Sequence, residues 1–310
     1  MATDYLGIEI GGTKLQLILG RPGAEPVLRR RWQVEAAAGA AALRERLEAT
    51  LPELLEVRRP AAVGVGFGGP VEPGTGRICR SHQVPGWDGF PLGEWLRGIT
   101  GLPVVVENDA NTAALAEARL GAGRGRRVVL YVTLGSGVGG GLVVDGGIYH
   151  GAPPGECEIG HVRLARGGPT VEERCSGWAV DRRIRAWVAG GAEGTLAELA
   201  RREPGHEARH LGPALAAGEP AARQLLDEVA GELAFGLSHA VHLFHPEVIV
   251  LGGGLSLVGE PLRAAVAAAL PELLMEAFRP GPEVRLAALG EEVVPQGALL
   301  LAAGVAPAAG

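Results

Sequence analysis

The sequence predicts a layered α/β fold built from a duplicated unit. Apolar β-branched runs alternate with longer stretches of helical composition, which is the signature of sheets covered by helices. Two of those runs are broken by glycine-rich turns, Gly7-Ile-Glu-Ile-Gly-Gly-Thr-Lys14 and Tyr131-Val-Thr-Leu-Gly-Ser-Gly-Val-Gly-Gly-Gly-Leu142. The second follows the first by about 120 residues and repeats its order of strand, turn and strand.

Each element follows from local pattern. Tyr5 to Ile10 and Leu15 to Leu19 read as strands on either side of the first turn, with a third extended run near Val27 to Trp32. Ala36 to Val57 is rich in Ala, Leu and Glu and sets Leu43, Leu47, Leu51 and Leu54 on one helical face. Ala61 to Phe67 is a buried-strand run ending in Gly68-Gly69-Pro70. Val104 to Glu107 is a strand that feeds a helix from about Ala110 to Leu120. Gly121 to Arg127, dense in Gly and Arg, is the natural boundary, giving one lobe of residues 1–120 joined by 292–310 and another of 121–291. In the second lobe helices are expected at Trp178 to Ala189, Ala221 to Leu243 and Leu262 to Ala277. A buried strand, Glu247 to Leu251, enters Gly252-Gly253-Gly254.

Composition narrows the function. A chain of 310 residues can bury a large core, and its formal charge of -6 argues against nucleic acid as partner. Arg29 to Arg31 and the Arg182, Arg183, Arg185 group read as solvated faces. Cys79, Cys157 and Cys175 form no CxxC pair and no disulfide framework, which fits a reducing cytoplasm. No secretion signal is visible at Met1-Ala-Thr-Asp-Tyr-Leu6. The apolar stretch Val128 to Val144 holds too many glycines for a membrane span and reads as strand, turn, strand, so no membrane partner is expected.

The polar residues beside these turns carry the chemistry. At the first, Gly11 and Gly12 free the backbone, Thr13 offers a hydroxyl, Lys14 a charge, and Glu9 a carboxylate able to hold magnesium through water. The spacing is not that of a P-loop. Gly135, Ser136 and Gly137, with Gly139 to Gly141, supply more glycine than a hairpin needs, which favours close backbone approach to a ligand. Gly252 to Gly254 end a strand before a helix, where N–H groups meet a nucleotide or simply turn the chain. Asp109 follows its strand directly: it can cap the helix, act as a general base, or do both, and Asn108 beside it can bind a polar ligand. Glu158 and His161 lack zinc partners at the usual spacing and suit hydrogen bonds to hydroxyls, as does Glu172. The remaining histidines read as packing or surface residues.

In this order the motifs resemble the ROK family (repressors, uncharacterised reading frames and kinases). The resemblance rests on Gly7 to Lys14, Glu107-Asn-Asp-Ala-Asn111, Thr133-Leu-Gly-Ser-Gly-Val-Gly-Gly-Gly141, Glu158-Ile-Gly-His161 and Pro246-Glu-Val-Ile-Val-Leu-Gly-Gly-Gly254, and it covers essentially the whole chain. It implies the actin and hexokinase-like (ribonuclease H-like) fold, two lobes of duplicated βββαβα units closing over a sugar. It also implies roles. Asp109 would take the proton from a sugar 6-hydroxyl; Gly69, Asn108, Glu158, His161 and Glu172 would join Asp109 in holding the sugar. Gly11, Gly12, Thr13 and Lys14 with Thr133, Gly135, Ser136 and Gly137 would hold the phosphates of ATP, and Gly253 and Gly254 its adenosine side.

The departures from the family pattern are specific. Glu9 stands where many members carry Asp, and Gln83, in Ser81-His-Gln-Val-Pro-Gly-Trp87, where glucokinases often show Asn. After His161 the family's cysteine-rich zinc loop is missing: Thr170-Val-Glu-Glu-Arg-Cys-Ser-Gly177 keeps only its end, with Glu172 on the sugar-binding Glu. The expectation is therefore an ATP and magnesium dependent hexose kinase with no zinc site, most simply a glucokinase, cytoplasmic, and a homodimer or higher homo-oligomer. Rival readings are a kinase for fructose, mannose, N-acetylmannosamine or N-acetylglucosamine, and a non-catalytic sugar-binding regulator. A repressor would need an N-terminal winged-helix segment, for which the residues before Gly11 leave no room.

Overall fold

The computed structural model describes residues 3–306 apart from 82, 153, 154 and 156. Its internal contacts divide the chain into two compact units. One holds Met1–Leu120, Gly147–Glu156 and Glu291–Gly310; the other holds Gly121–Gly146 and Cys157–Gly290. The segment Gly147–Glu156, which the sequence reading left within 121–291, thus falls in the first unit.

In the first unit β1 (Tyr5–Ile10) and β2 (Lys14–Gly20) form an antiparallel hairpin, and β3 (Leu28–Gln33) pairs antiparallel with β2. Helix α1 spans Gly39–Val57; the expected first turn is instead a separate 3-10 turn over Ala36–Ala38. Leu43, Leu47, Leu51 and Leu54 are all buried on one face, each contributing roughly 1.5–3 kcal/mol relative to exposure. Strand β4 (Val63–Phe67) lies parallel to β1, followed by the short hairpin β5 (Val71–Glu72) and β6 (Arg77–Ile78). Helix α2 (Leu92–Thr100), which the sequence reading did not name, buries Leu92, Leu96 and Thr100 on one face and ends at Gly101 in the left-handed region. Strand β7 (Val104–Asn108) runs parallel to β4 and feeds α3 (Asp109–Arg119). The sheet order is β3-β2-β1-β4-β7. Arg29 to Arg31 lie exposed on edge strand β3, where Arg29 pairs with Glu292 at 2.9 Å and Arg31 pairs with Glu291.

The second unit opens the same way. Strands β8 (Val128–Leu134) and β9 (Val138–Val144) form an antiparallel hairpin, after which β10 (Gly147–Ile148) begins the segment belonging to the first unit. Five helices follow: α4 (Val171–Cys175), α5 (Gly177–Ala189), α6 (Thr195–Arg202), α7 (Leu211–Ala216) and α8 (Pro220–Phe244), the last with its proline at the helix start, where no N–H is needed. Strand β11 (Val248–Gly252) is parallel to β8, and β12 (Glu283–Leu286) is parallel to β11. Between them the helix expected over Leu262 to Ala277 stops early: α9 covers Glu260–Ala269, then 3-10 turns occupy Leu270–Leu273 and Glu276–Phe278. Pro271 explains the stop, since it lacks the N–H that would continue the helical ladder.

In both units the first strand of a glycine hairpin lies between its antiparallel partner and a parallel strand that arrives after a helix. The duplication read from two glycine turns is therefore a duplication of topology. Helix α10 (Val293–Val305) completes the first unit by packing on β1, β4 and α3. It rests on backbone: a Cβ at Gly64 would lie 1.9 Å from the Ala298 carbonyl oxygen. Among the described residues no helix is long and apolar enough to cross a membrane.

Candidate active site

Two strand ends and one hairpin turn meet at the carboxyl edge of the first sheet. The Gly11 N–H donates to the Lys14 carbonyl at 2.9 Å, closing the first glycine turn, and the Gly68 N–H donates to the Ile10 carbonyl at 2.8 Å, tying the end of β4 to it. The Asp109 carboxylate stands at the same place, with Oδ2 3.4 Å from where a Cβ on Gly68 would be. At this edge of a parallel sheet backbone groups and side chains of successive strands face one ligand.

Asp109 does not cap α3. That task falls to Asn108, whose Oδ1 accepts from the N–H groups of Ala110 at 2.9 Å and Asn111 at 3.1 Å. Asp109 occupies the first helical position, where the helix dipole favours a carboxylate. The Asn108 Nδ2 donates to the Gly69 carbonyl at 3.1 Å, so two expected sugar contacts are bonded to each other. Behind them is Glu107, which sequence reasoning did not single out. Its buried carboxylate accepts the Asn108 N–H at 2.8 Å and Asn111 Nδ2 at 3.1 Å through Oε1, and lies 2.6 Å from His150 Nε2 through Oε2.

Glu9 and Lys14 form an ion pair, Oε1 to Nζ at 3.1 Å, with Glu9 only 5% exposed. Burial pushes the Glu9 carboxyl up to about 7, against the pull of Lys14, and the negative charge of Asp109 adds to the rise. Glu9 Oε2 is buried with no hydrogen-bond partner among the described residues. Gln83, noted in the sequence for its bearing on sugar choice, packs on the first glycine turn: a Cβ at Gly12 would lie 1.5 Å from its Oε1. Any other residue at position 12 would drive Gln83 away.

In the second unit Gly135 donates to the Gly137 carbonyl at 2.9 Å, repeating the closure seen at Gly11. Thr133 sits on β8 opposite Gly252 of β11. Ser136 lies at the tip of this turn, between Gly135 and Gly137. Two elements brace the turn from below. Glu172 accepts the Val138 N–H through Oε2 at 2.9 Å, and the Gly177 N–H at the head of α5 donates to the Gly135 carbonyl at 2.7 Å. Glu172 thus touches the hairpin directly, a contact its spacing from Ser176-Gly177 did not foretell. Gly253 has φ +80°, and a Cβ there would lie 2.6 Å from the Leu134 backbone nitrogen, so the turn after β11 hugs the end of β8 and admits only glycine. Gly254 follows it and opens a 3-10 turn. Glu158 and His161 are exposed on another 3-10 turn, their carboxylate and imidazole 3.9 Å apart. Among the described residues no group of three or more His, Cys, Asp or Glu is disposed to hold a metal ion.

The chain matches the ROK family model over residues 5–305. A glucokinase of Halalkalibacterium halodurans is 31% identical to it over 304 residues, 93% of this chain and 91% of that protein. The crystal structure of a ROK hexokinase from Thermus thermophilus superimposes with a TM-score of 0.79 at 31% identity, over 97% of this chain and 98% of the other. That of a ROK family glucokinase from Streptomyces griseus, solved in complex with glucose and AMPPNP, gives a TM-score of 0.83 at 28% identity, over 97% of this chain and 99% of the other. The fold is accordingly the actin and hexokinase-like one. With its glycine turns, its Glu107-Asn-Asp segment and nearly its whole length inside that match, the chain belongs to the ROK family.

Proposed function

We propose that the protein is an ATP-dependent hexose kinase that transfers the γ-phosphoryl group to the 6-hydroxyl of its sugar, with glucose as the first candidate. The observation that carries this reading is Asp109. It is a carboxylate at the end of a parallel strand, at the first position of the helix that Asn108 caps, and set beside Gly68 and the turn Gly11–Lys14. In the step proposed, the sugar 6-oxygen bonds to the γ-phosphorus, its proton passes to the Asp109 carboxylate, and the bond to the β-phosphate oxygen breaks to leave ADP. Phosphoryl transfer asks chiefly for position and charge neutralisation, which rigid backbone donors in two closed glycine turns are suited to supply.

The donor set near Glu9 fits magnesium. One oxygen is paired with Lys14 and the other has no partner among the described residues, so a hydrated cation would find an acceptor there. When bound, magnesium would neutralise charge on the terminal phosphates. Glu9 and Lys14 together would then orient the γ-phosphate end of the nucleotide.

The named relatives support a sugar kinase and support glucose over other hexoses only by resemblance. Glu158, His161 and Glu172 are offered as the sugar-binding set of the second unit, and Gly69 with Asn108 as that of the first. The test is ADP release with glucose, fructose, mannose, N-acetylmannosamine and N-acetylglucosamine in parallel. Turnover with one of them at micromolar to millimolar KM supports the reading. Sugar binding without ADP release from any of them would leave the non-catalytic regulator as the better account.

A further inference from the structure

The close approach that Gly12 allows is made by a side chain of the protein itself. A Cβ on Gly12 would lie 1.5 Å from Gln83 Oε1, 2.4 Å from its Cδ and 2.7 Å from its Cβ, so Gln83 lies lengthwise along the first glycine turn. The Cα of Gly11, next in the turn, is 3.5 Å from where a Cβ on Gly68 would be, and Asp109 Oδ2 is 3.4 Å from that same point. Gln83 on Gly12 and Asp109 on Gly68 thus stand at the two ends of one short run of bare backbone.

The loop that carries Gln83 is anchored on both sides of it. The Ser81 N–H donates to Asp88 Oδ1 at 3.1 Å and the Val84 N–H to Ser81 Oγ at 3.2 Å. The carbonyls of Pro85 and Gly86 accept from α1, from the Ala40 N–H at 2.9 Å and from Arg44 Nη1 at 3.1 Å. Val84 and Trp87 are buried, and the Trp87 ring meets Phe67, the last residue of β4, edge-on with centroids 5.5 Å apart. Gln83 itself is exposed. A polar side chain held this way keeps its place without belonging to the core, which is what a ligand contact requires. The same loop meets the residue offered to the sugar through a different group: a Cβ on Gly69 would lie 2.5 Å from the Arg80 carbonyl oxygen. Arg80 abuts Gly69, and Gln83, three positions on, abuts the turn offered to phosphate.

We propose that Gln83 is a contact of the transferring γ-phosphoryl group, its amide N–H donating to a phosphoryl oxygen, an inference that rests on the kinase reading above. In phosphoryl transfer the charge is spread over three equatorial oxygens, and donors placed on them in advance stabilise the transition state. The charged groups at this turn are Lys14, paired with Glu9, and the carboxylate of Asp109, whose charge acts on Glu9. A carboxamide adds two N–H donors without a charge. It therefore does not repel the nucleotide, as a carboxylate would, nor lower the basicity of Asp109, as a second cation would. Length matters as well, since an Asn at this position would stop one methylene short of Gly12.

The experiment measures calorimetric affinities of AMPPNP, ADP and glucose, with magnesium present, for the wild type, Gln83→Ala, Gln83→Asn and Gln83→Glu. AMPPNP carries the third phosphate and ADP lacks it, so ADP also reports whether each variant is folded. A hydrogen bond to a charged group is worth about tenfold to a hundredfold in affinity, and Gln83→Ala should weaken AMPPNP by that factor while ADP and glucose stay within about twofold. Gln83→Asn should resemble Gln83→Ala, and Gln83→Glu should weaken AMPPNP further. Unchanged AMPPNP affinity in Gln83→Ala, or an equal loss for AMPPNP and ADP, overturns the contact while the kinase reading stands. Tighter AMPPNP binding in that variant overturns it too, because Gln83 would then only cover the turn, and a loss confined to glucose would assign the side chain to the sugar. Failure of the wild type to bind either nucleotide removes the kinase reading and the contact with it.

Discussion

Glu107 Oε2 and His150 Nε2 lie 2.6 Å apart, although 43 residues separate them in the chain. The contact matters because the other oxygen of Glu107 holds the Asn108 N–H and the Asn111 side chain, and so sets the start of α3 on which Asp109 stands. His150 lies on Gly147–Glu156, the segment that returns to the first unit between two stretches of the second. One buried carboxylate thus secures both the head of α3 and the returning strap.

Glu107→Gln keeps the shape and removes the charge-assisted bonds. Leaving such buried partners imperfectly satisfied costs about 1–3 kcal/mol. If that loss appears as misplacement of Asp109, kcat should fall roughly tenfold to a hundredfold with sugar KM nearly unchanged. His150→Ala should act in the same direction and less, since His150 is more than a third exposed. A change confined to KM in both variants would show that Glu107 does not position Asp109.

Asp109→Asn should lower kcat by at least about a hundredfold while sugar and ATP affinities stay within a few fold. The amide keeps the side-chain shape beside Gly68 but accepts no proton, and Asn108 still caps the helix, so the fold should persist. Near-normal turnover by the purified variant would remove Asp109 from the role of base.

How much of this was legible in the sequence depends on the range of the interaction. The two glycine turns were legible because their function shapes their own local composition, and Leu43 to Leu54 because helical burial leaves a period. The choice between Asn108 and Asp109 as helix cap was not, since both residue types cap well and only the backbone conformation of Asn108 decides it. Helix α10 was missed as an element because it is buried on several sides by β1, β4 and α3 and shows no apolar stripe. Glu107 and His150 are a long-range pair whose members look ordinary alone.

Glu9 carries a pH signature. Its folded pKa, about 7, is raised by burial above the ordinary 4.5, so its contribution to stability is fully present below about pH 4.5 and is lost as pH rises through 7. The loss amounts to about 3 kcal/mol at most at alkaline pH, as an order of magnitude. Glu9→Gln cannot ionise. Its melting temperature relative to wild type should therefore climb between pH 5 and pH 8.5, measured without magnesium or nucleotide. A constant difference across that range would show that Glu9 does not titrate there.

Glu172 has two neighbours to answer to. The family resemblance makes it a sugar ligand, which predicts a loss of sugar affinity in Glu172→Ala of roughly tenfold to a hundredfold. The structure adds that Oε2 accepts the Val138 N–H at the base of the second glycine hairpin, which is proposed to hold phosphate, so the same variant should also raise the KM for ATP, by a smaller factor. Glu173 is the control: its Oε2 accepts the Thr170 N–H at 2.7 Å in the capping box of α4, and Thr170 holds its carboxyl below the usual range. Glu173→Ala should remove one half of the capping box of α4 and leave both KM values unchanged. Steady-state kinetics over both substrates separates the cases: sugar and ATP affected together by Glu172→Ala supports the braced hairpin, whereas a loss in Glu173→Ala alone means that the carboxylate serving the site is one position further along.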